Sequence, residues 1–262
     1  MDNTKQQQAV GRLPDYCLMD NIFFHKCLDQ NKAGIERMLR VITCKDDLVV
    51  KEFLNEKDIF TLVGRGVRFD VFAIDGSGKR YDFEIQKGDE GAVPQRARYN
   101  ASMLDYLSVD KGTDWKDLPN TCVIMITEND VLGFGDPLYT IRRAIVSHGN
   151  APFKDGQEIL YVNGQYRGDD PLGKLVHDLW CRNPDDMYYP ELAEKVRYYK
   201  TTEKGREEMS EIERELIQQG KDEAMIFSIR NLMQSLKLSV QQAMDALGIP
   251  AEEQPKYAAQ IQ

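Results

Sequence analysis

The sequence contains few of the residues that build metal clusters and disulfide frameworks. Its 262 residues include three histidines and five cysteines, and no two cysteines form a C-x-x-C pair. Neither a zinc cluster nor a disulfide framework is indicated, so we interpret the cysteines as reduced thiols of a cytoplasmic protein. His25, His148 and His177 lack a metal-ligand spacing, and histidine chemistry is therefore not expected.

Long apolar runs are also missing. The longest uncharged apolar stretch, residues 121–127, is far shorter than the roughly 20 residues that span a bilayer. Residues 1–10 are polar and glutamine-rich, without the apolar centre of a secretory signal. We therefore expect no membrane partner and no export, and we expect residues 1–14 to be disordered.

A surplus of basic residues is missing as well. The chain has 34 lysines and arginines against 43 aspartates and glutamates, for a net charge of −9. Proteins that bind nucleic acids usually present a basic face, because lysine and arginine neutralise the phosphates. The overall charge argues against DNA binding, but Arg65, Arg68, Arg80, Arg96 and Arg98 could still form a local basic patch.

The rest of the composition is typical of a soluble globular protein. Hydrophobic residues make up 42% of the chain and charged residues 29%. At 262 residues, either one large domain or a domain plus an appendage is expected, and a folded chain of about 300 residues buries roughly 75% of its unfolded surface. We place the domain at residues 15–202 and a helical C-terminal extension at residues 203–262.

Hydrophobic periodicity predicts an α/β fold. Helical spacing starts after Asp20 and could continue through Phe53, and a helix is expected from Pro94. Strands are predicted at 59–63, 67–74, 80–86, 122–126 and 159–162, and further helices at 172–180, 191–236 and 240–247. The order of strand 80–86, helix and strand 122–126 implies a parallel pair. We therefore expect a mixed sheet, with an antiparallel hairpin and a parallel strand, flanked by helices.

The second strand of the predicted hairpin carries polar side chains on one face. Because side chains alternate along a strand, Asp82, Glu84 and Gln86 all point the same way. A solvated sheet face would explain this pattern without any function. A functional site would explain it as well, and the register of the hairpin bears on that choice.

The register of this hairpin follows from its turn. A three-residue loop ending at Gly78, with this glycine in the left-handed conformation, places Phe72 opposite Asp82 and Asp70 opposite Glu84. Two opposed carboxylates repel each other unless a cation lies between them. This register therefore predicts a divalent cation site.

Five sequence motifs occur in a consistent order. They are GVRFDV at 66–71, YDFEIQ at 81–86, RARY at 96–99, VIMITEND at 123–130 and LGKLVHD at 172–178. Together they resemble the PD-(D/E)XK nuclease superfamily, in particular its bacterial transposase-associated recombination-promoting nucleases. The similarity covers residues 15–215. It implies a restriction-endonuclease-like core and a Mg²⁺- or Mn²⁺-dependent DNA endonuclease associated with transposition or recombination.

The resemblance also implies roles for individual residues. Asp70 and Glu84 occupy the acidic positions and would bind the metal together with the main-chain carbonyl of Ile85. Gln86 stands where the superfamily has a catalytic lysine and would orient the attacking water. An amide can orient water but cannot lend positive charge to a hydroxide, so the residue at position 86 departs from the superfamily pattern.

Four further residues are candidates around this site. Arg96 and Tyr99, one helical turn apart, would contact a phosphate and a sugar or base of DNA, or else pack the helix against the sheet. Lys87 would contact a phosphate at the rim. Glu36 could supply an additional carboxylate, with a solvent-facing position as the alternative.

Other classes of function remain open. The missing lysine and the net charge of −9 also fit a catalytically inactive nuclease-fold binding module, or a structural subunit of a mobile-element complex. Residues 203–262 carry an excess of acidic side chains and several apolar helical positions. These positions must pack on a surface, either on the core or on a second copy in a homodimer. Residues 235–249 weakly resemble a helix-turn-helix.

Overall fold

The fold is described from a computed structural model, which covers residues 15–59, 67–109, 112 and 114–261. These residues form two compact units. The first, here called the sheet unit, ends at Thr202, and the second, the helical unit, begins at Glu203. The N-terminal segment 1–14, Arg65 and most of the predicted strand 59–63 lie outside the described residues.

The sheet unit alternates helices and strands. Its elements are α1 (Asn21–Leu28), α2 (Lys32–Thr43), β1 (Val50–Ile59), β2 (Val67–Asp75), β3 (Arg80–Gln86), α3 (Pro94–Tyr106), β4 (Thr121–Thr127), β5 (Leu138–Ile141), β6 (Ala144–Ile145), β7 (Ala151–Pro152), β8 (Gln157–Asn163), α4 (Pro171–Trp180) and α5 (Pro190–Thr201).

One mixed sheet of six strands organises this unit, in the order β1-β2-β3-β4-β8-β5. The pairs β1–β2, β2–β3 and β8–β5 are antiparallel, whereas β3–β4 and β4–β8 are parallel. Helix α3 makes the crossover between β3 and β4. The expected mixed sheet, with a hairpin beside a parallel strand and helices around it, is therefore confirmed.

The turn of the β2–β3 hairpin has the predicted geometry. The Asp75 N–H donates to the Lys79 carbonyl at 3.0 Å, and Gly78 has a positive φ of 87°. The backbone pairs Phe72 with Asp82. The predicted register is therefore confirmed over the part of the hairpin next to the turn.

The hydrophobic core explains why β4 is continuously apolar. Every residue of this strand is buried. On one face, Val123 and Met125 pack with Ala97, Ala101 and Leu104 of α3. A strand in the centre of a sheet that is covered on both faces needs apolar side chains on both, so it loses the usual alternation.

The region after α2 was wrongly predicted to continue as helix. It forms β1, whose residues 51–58 are exposed or only half-buried. This strand lies at the edge of the sheet and carries charged side chains on both faces. Its period of two is therefore hidden, because alternation is visible only where one face is apolar. The strand at the opposite edge, β5, was also not predicted.

The helical unit has a core of its own. It consists of α6 (Glu203–Leu236), α7 (Val240–Ala246) and α8 (Gln254–Ala258). Ile226 and Ile229 of α6 pack with Met244 and Tyr257 from the two short helices. The predicted helix at 240–247 is confirmed as α7, and Ser239 caps it in a reciprocal capping box with Gln242. It was expected to be the last helix, but α8 follows it.

All five cysteines are free thiols in the structure. Among the described residues, no helix combines the length and the apolar character that are needed to cross a membrane.

Candidate functional site

Three buried acidic side chains lie close together on the β2–β3 hairpin. Asp82 and Glu84 of β3 have no exposed surface, and Asp70 of β2 is 6% exposed. Ionised carboxylates are almost never buried without partners, because removal from water strongly disfavours their charge. We call these three residues the carboxylate cluster.

Asp70 lies where the two hairpin strands separate. The backbone pairing of β2 with β3 extends from Ile74–Arg80 to Val71–Phe83. Beyond that last pair, the Ile85 N–H donates to Asp70 Oδ2 at 3.0 Å, so a side chain takes the place of the next backbone acceptor. If the pairing continued, Asp70 would be opposite Glu84, as predicted. The backbone pairing ends one residue earlier, and the contact between the Asp70 side chain and the Ile85 N–H replaces it.

The same contact gives the direction of the Ile85 carbonyl. In an extended strand, the N–H and C=O groups of one residue point to the same side. The Ile85 carbonyl therefore also points toward β2, beside the Asp70 carboxylate. The resemblance implied a metal-binding carbonyl at this position.

A histidine contacts the other oxygen of Asp70. His25 Nε2, on α1, lies 3.5 Å from Asp70 Oδ1, and both side chains are almost fully buried. His25 Nδ1 is also buried and has no hydrogen-bond partner among the described residues. The isolated position of His25 in the sequence offered no sign of this contact.

Glu84 has one cationic partner and one unsatisfied oxygen. Arg96 Nη2 donates to its Oε2 at 2.7 Å, and Gln86 Nε2 lies 3.3 Å from the same atom. Oε1 is buried and has no hydrogen-bond partner among the described residues. Burial, and next the negative charge of Asp70, raise the pKa of Glu84 to about 8, although Arg96 opposes this shift.

Asp82 is held in a similar way by an amide. Asn100 Nδ2 donates to Asp82 Oδ2 at 3.1 Å, whereas the buried Oδ1 has no hydrogen-bond partner in the described part of the chain. Burial, and next the charge of Glu84, raise the pKa of Asp82 well above its ordinary value. Asp82 and Asn100 were not among the predicted site residues. Asn100 follows Arg96 by four positions, a spacing that places both on one helix face.

Gln86 joins the cluster to α3. Its amide nitrogen faces Glu84, and its Oε1 accepts from Arg96 Nη1 at 3.1 Å. Arg96 Nη1 also donates to the Gly91 carbonyl at 3.2 Å. Gly91 passes so close to the Gln86 side chain that a β-carbon at this position would overlap it. The predicted residues Asp70, Glu84, Ile85, Gln86 and Arg96 are thus brought together.

The remaining predicted residues lie outside this network of contacts. Lys87 donates to Asp20 Oδ1 at 2.6 Å, at the surface beyond the end of β3. Tyr99 is 39% exposed on α3. The contacts that the two residues were predicted to make with DNA stay predictions.

Glu36 belongs to a different part of the sheet. Its Oε1 accepts the Val50 N–H at 2.9 Å, and its Oε2 lies 3.5 Å from Arg40. Val50 pairs with Asp75, five residues from Asp70 along β2, which corresponds to about 16 Å of strand. Glu36 therefore neither joins the cluster nor simply faces solvent, because it satisfies a backbone donor at the start of β1.

The arginines proposed for a basic patch are engaged separately. Arg68 pairs with Asp58 at 2.8 Å, and Arg80 donates to the Leu107 carbonyl at 2.7 Å. Since Arg96 pairs with Glu84, these three guanidinium groups serve three different partners. Arg65 lies outside the described residues, so the patch of all five arginines stays a prediction.

The cluster supplies hard oxygen donors. Among the described residues, no group of three or more His, Cys, Asp or Glu side chains has the arrangement of a metal site. The available donors are instead carboxylate oxygens of Asp70 and Glu84 and the carbonyl of Ile85. Oxygen ligands of this kind suit Mg²⁺ and Mn²⁺, and the unsatisfied Glu84 Oε1 is the atom that would gain a partner.

The chain matches no known family model, no curated protein and no solved structure.

Proposed function

We propose that the protein is an endonuclease of the PD-(D/E)XK type, which hydrolyses phosphodiester bonds of DNA with Mg²⁺ or Mn²⁺. The observation that carries this proposal is the carboxylate cluster, where buried acids meet at the separation of β2 from β3 and keep two oxygens without partners. The hairpin, the crossover helix α3 and the parallel strand β4 are the order of elements expected for a restriction-endonuclease-like core.

The charges of the cluster support a divalent cation. Burial, and next the charge of a neighbouring carboxylate, raise the pKa values of Glu84 and Asp82. A divalent cation would offset this repulsion, because a metal ion displaces the proton of a group that binds it. Asp70, Glu84 and the Ile85 carbonyl would hold the cation.

The bound cation would lower the pKa of a coordinated water and stabilise negative charge on the scissile phosphate. Gln86 would orient the attacking water through its amide. Arg96 is 39% exposed and lies beside the cluster, so its guanidinium is placed to contact a phosphate that approaches from solvent. In this role Arg96 supplies the positive charge that Gln86 lacks.

Metal binding and plasmid nicking together test this proposal. Calorimetric titration with Mn²⁺ should show binding to the wild-type protein and none to Asp70→Ala or Glu84→Ala. Nicking should fall by about a hundredfold or more in both variants. Asp114→Ala, at an exposed turn, is the matched control and should behave as wild type. Undiminished nicking by both cluster variants would assign the activity to a contaminant.

A second candidate is a catalytically inactive nuclease-fold module. The observation that favours it is the closed network of Glu84, Gln86 and Arg96, in which the amide and the guanidinium already satisfy one carboxylate oxygen. The same titration separates the candidates, since an inactive module should bind no Mn²⁺ through Asp70 and Glu84. A cytoplasmic location, a role in transposition or recombination and pairing of two copies through residues 203–262 belong to the proposal as well.

A further inference from the structure

A cleft lies at the end of the sheet opposite the carboxylate cluster. Strands β3, β4 and β8 begin in register, with Arg80 beside Thr121 and Thr121 beside Gln157. The residues just before these strands border a cleft of about 540 Å³. This volume lies within the range of pockets that hold small ligands, about 300–1,000 Å³. Because Glu84 and Gln86 lie near the carboxyl end of β3, the two sites are separate.

The cleft is strongly basic in a chain with a net charge of −9. Two acidic residues line it, Asp155 and Glu158. Five basic residues do so, and they come from four separate segments: Lys45, Lys79, Arg142, Arg143 and Lys154. We call this region the basic cleft. Its excess of three positive charges is spread over side chains that are distant in sequence and meet only through the fold.

Ion pairs hold part of this lining in place. The Glu158 carboxylate pairs with Lys79 through one oxygen and with Arg142 through the other, the latter at 2.7 Å. Arg143 pairs with Asp155 and donates to Gln157 at 2.6 Å. The two acids thus orient three cations, and they leave the arginine donors that do not face them available to a ligand.

The remaining two cations have no such partner. Within the described part of the chain, the ammonium groups of Lys45 and Lys154 form no ion pair or hydrogen bond. Lys45 follows the carboxyl end of α2, where the helix dipole favours a cation. The helix dipole can stabilise the charge of Lys45. It cannot stabilise the charge of Lys154, which lies between β7 and β8.

We propose that the basic cleft binds a phosphate-bearing ligand of nucleotide size. Ammonium and guanidinium groups together are the side chains that recognise phosphate oxygens best. An excess of three positive charges matches a diphosphate or triphosphate better than a single carboxylate. The same phosphate chemistry could come from a free ligand or from a nucleic-acid backbone, and the volume of about 540 Å³ favours a free ligand of nucleotide size.

Calorimetric titration with inorganic pyrophosphate and with ATP tests the site. The double variant Lys45→Ala/Lys154→Ala should weaken pyrophosphate binding by tenfold or more. Both lysines are exposed, so the substitutions leave the fold intact. The matched control, Lys51→Ala/Lys116→Ala, removes two exposed lysines outside the cleft and should change the affinity less than twofold. Equal weakening by both double variants, or no saturable binding to the wild-type protein, would overturn the proposal.

Cys44 offers a local probe of occupancy. It is exposed and lines the cleft, whereas Cys17, Cys27 and Cys122 are buried. Saturating pyrophosphate should slow alkylation of Cys44 by iodoacetamide, as followed by peptide mass spectrometry, and a short DNA duplex should not. Protection by the duplex but not by pyrophosphate would assign the phosphates to a nucleic-acid backbone and overturn the assignment to a small ligand.

Discussion

The two ends of the central sheet hold their glutamates in opposite ways. Glu84, near the carboxyl end of β3, is fully buried, and Arg96 satisfies one of its two oxygens. Glu158, near the amino end of β8, has a cation on each oxygen, and its side chain keeps 14% of its exposure. The pKa of Glu84 rises to about 8, whereas hydrogen bonds from Lys79 and Arg142 outweigh burial and lower the pKa of Glu158.

Two effects act together in this difference. Glu84 is more deeply buried than Glu158 and contacts one arginine, whereas Glu158 contacts a lysine and an arginine, so burial and charge both favour the proton at Glu84 and the ionised form at Glu158. At the carboxyl end of the sheet, acids outnumber cations around the carboxylate cluster. At the amino end, cations outnumber acids around the basic cleft. The two proposed ligands, a divalent metal and a phosphate, follow from these opposite imbalances.

The largest expected effect is a loss of stability with rising pH in the metal-free protein. The folded-state pKa of Glu84 is about 8 and its ordinary value is 4.5. Between these values the folded protein keeps a proton that the unfolded chain has released. The free energy of unfolding therefore falls as the pH rises through this window, by on the order of 5 kcal/mol from this group. Urea unfolding at a series of pH values measures it.

Two isosteric variants sharpen this prediction. Glu84→Gln cannot ionise, so the fall in stability between pH 4.5 and 8 should be reduced to the part that Asp82 contributes. Glu158→Gln should keep the full fall, because the lowered pKa of Glu158 contributes stability that is lost only as the pH decreases. An unchanged slope in Glu84→Gln would contradict the assignment to this residue.

The next effect concerns Arg96, which forms an ion pair with Glu84. Arg96→Met leaves Glu84 buried without a counter-charge, which should cost about 3 kcal/mol of stability at pH 9, where Glu84 is ionised. At pH 6 Glu84 is protonated, and the cost should shrink. Urea unfolding of the variant and the wild type at both pH values measures this difference. An equal cost at pH 6 and pH 9 would show that Arg96 stabilises the fold by packing alone.

A smaller effect is expected from a gain of charge at position 86. Gln86→Lys places an ammonium beside Glu84, which should lower the pKa of Glu84 by about 1–3 units. In the proposed nuclease the same ammonium should raise Mn²⁺-dependent nicking by about tenfold. Gln86→Met, of similar length but uncharged, is the control. It should neither lower the pKa of Glu84 nor increase nicking. A Gln86→Lys protein that nicks no faster than wild type would favour the inactive module.

The parts of the fold that could be predicted depend on local rules. Alternation in β3 and the glycine at position 78 determine the hairpin register within a short segment, so Phe72–Asp82 followed from the sequence. The edge strands β1 and β5 could not be predicted from the sequence, because partly exposed strands lack an apolar face. In the same way, Lys45 and Lys154 meet in the basic cleft only through the topology of the sheet.

The candidate site was predicted in part for the same reason. Asp70, Glu84 and Gln86 belong to one hairpin, so parity and register bring them near each other. His25 and Asn100 come from helices on other segments, and no periodicity shows which strand residue a helix will contact. The burial of Asp82 also depends on the docking of α3. A strand with polar residues on one face has the same sequence pattern whether that face is covered by solvent or by a helix.

The smallest expected change in stability comes from Arg142→Met, at the amino end of β8. Its guanidinium pairs with Glu158 but is 68% exposed, and Lys79 remains on the other carboxylate oxygen. A solvent-exposed ion pair contributes about 0–1 kcal/mol, so the free energy of unfolding should change by less than about 1 kcal/mol. Urea unfolding beside Arg96→Met at pH 9 makes the comparison direct, because each variant removes one arginine from one glutamate. A loss as large as that of Arg96→Met would contradict the expectation that the exposure of Arg142, together with the second partner Lys79, makes this ion pair weak.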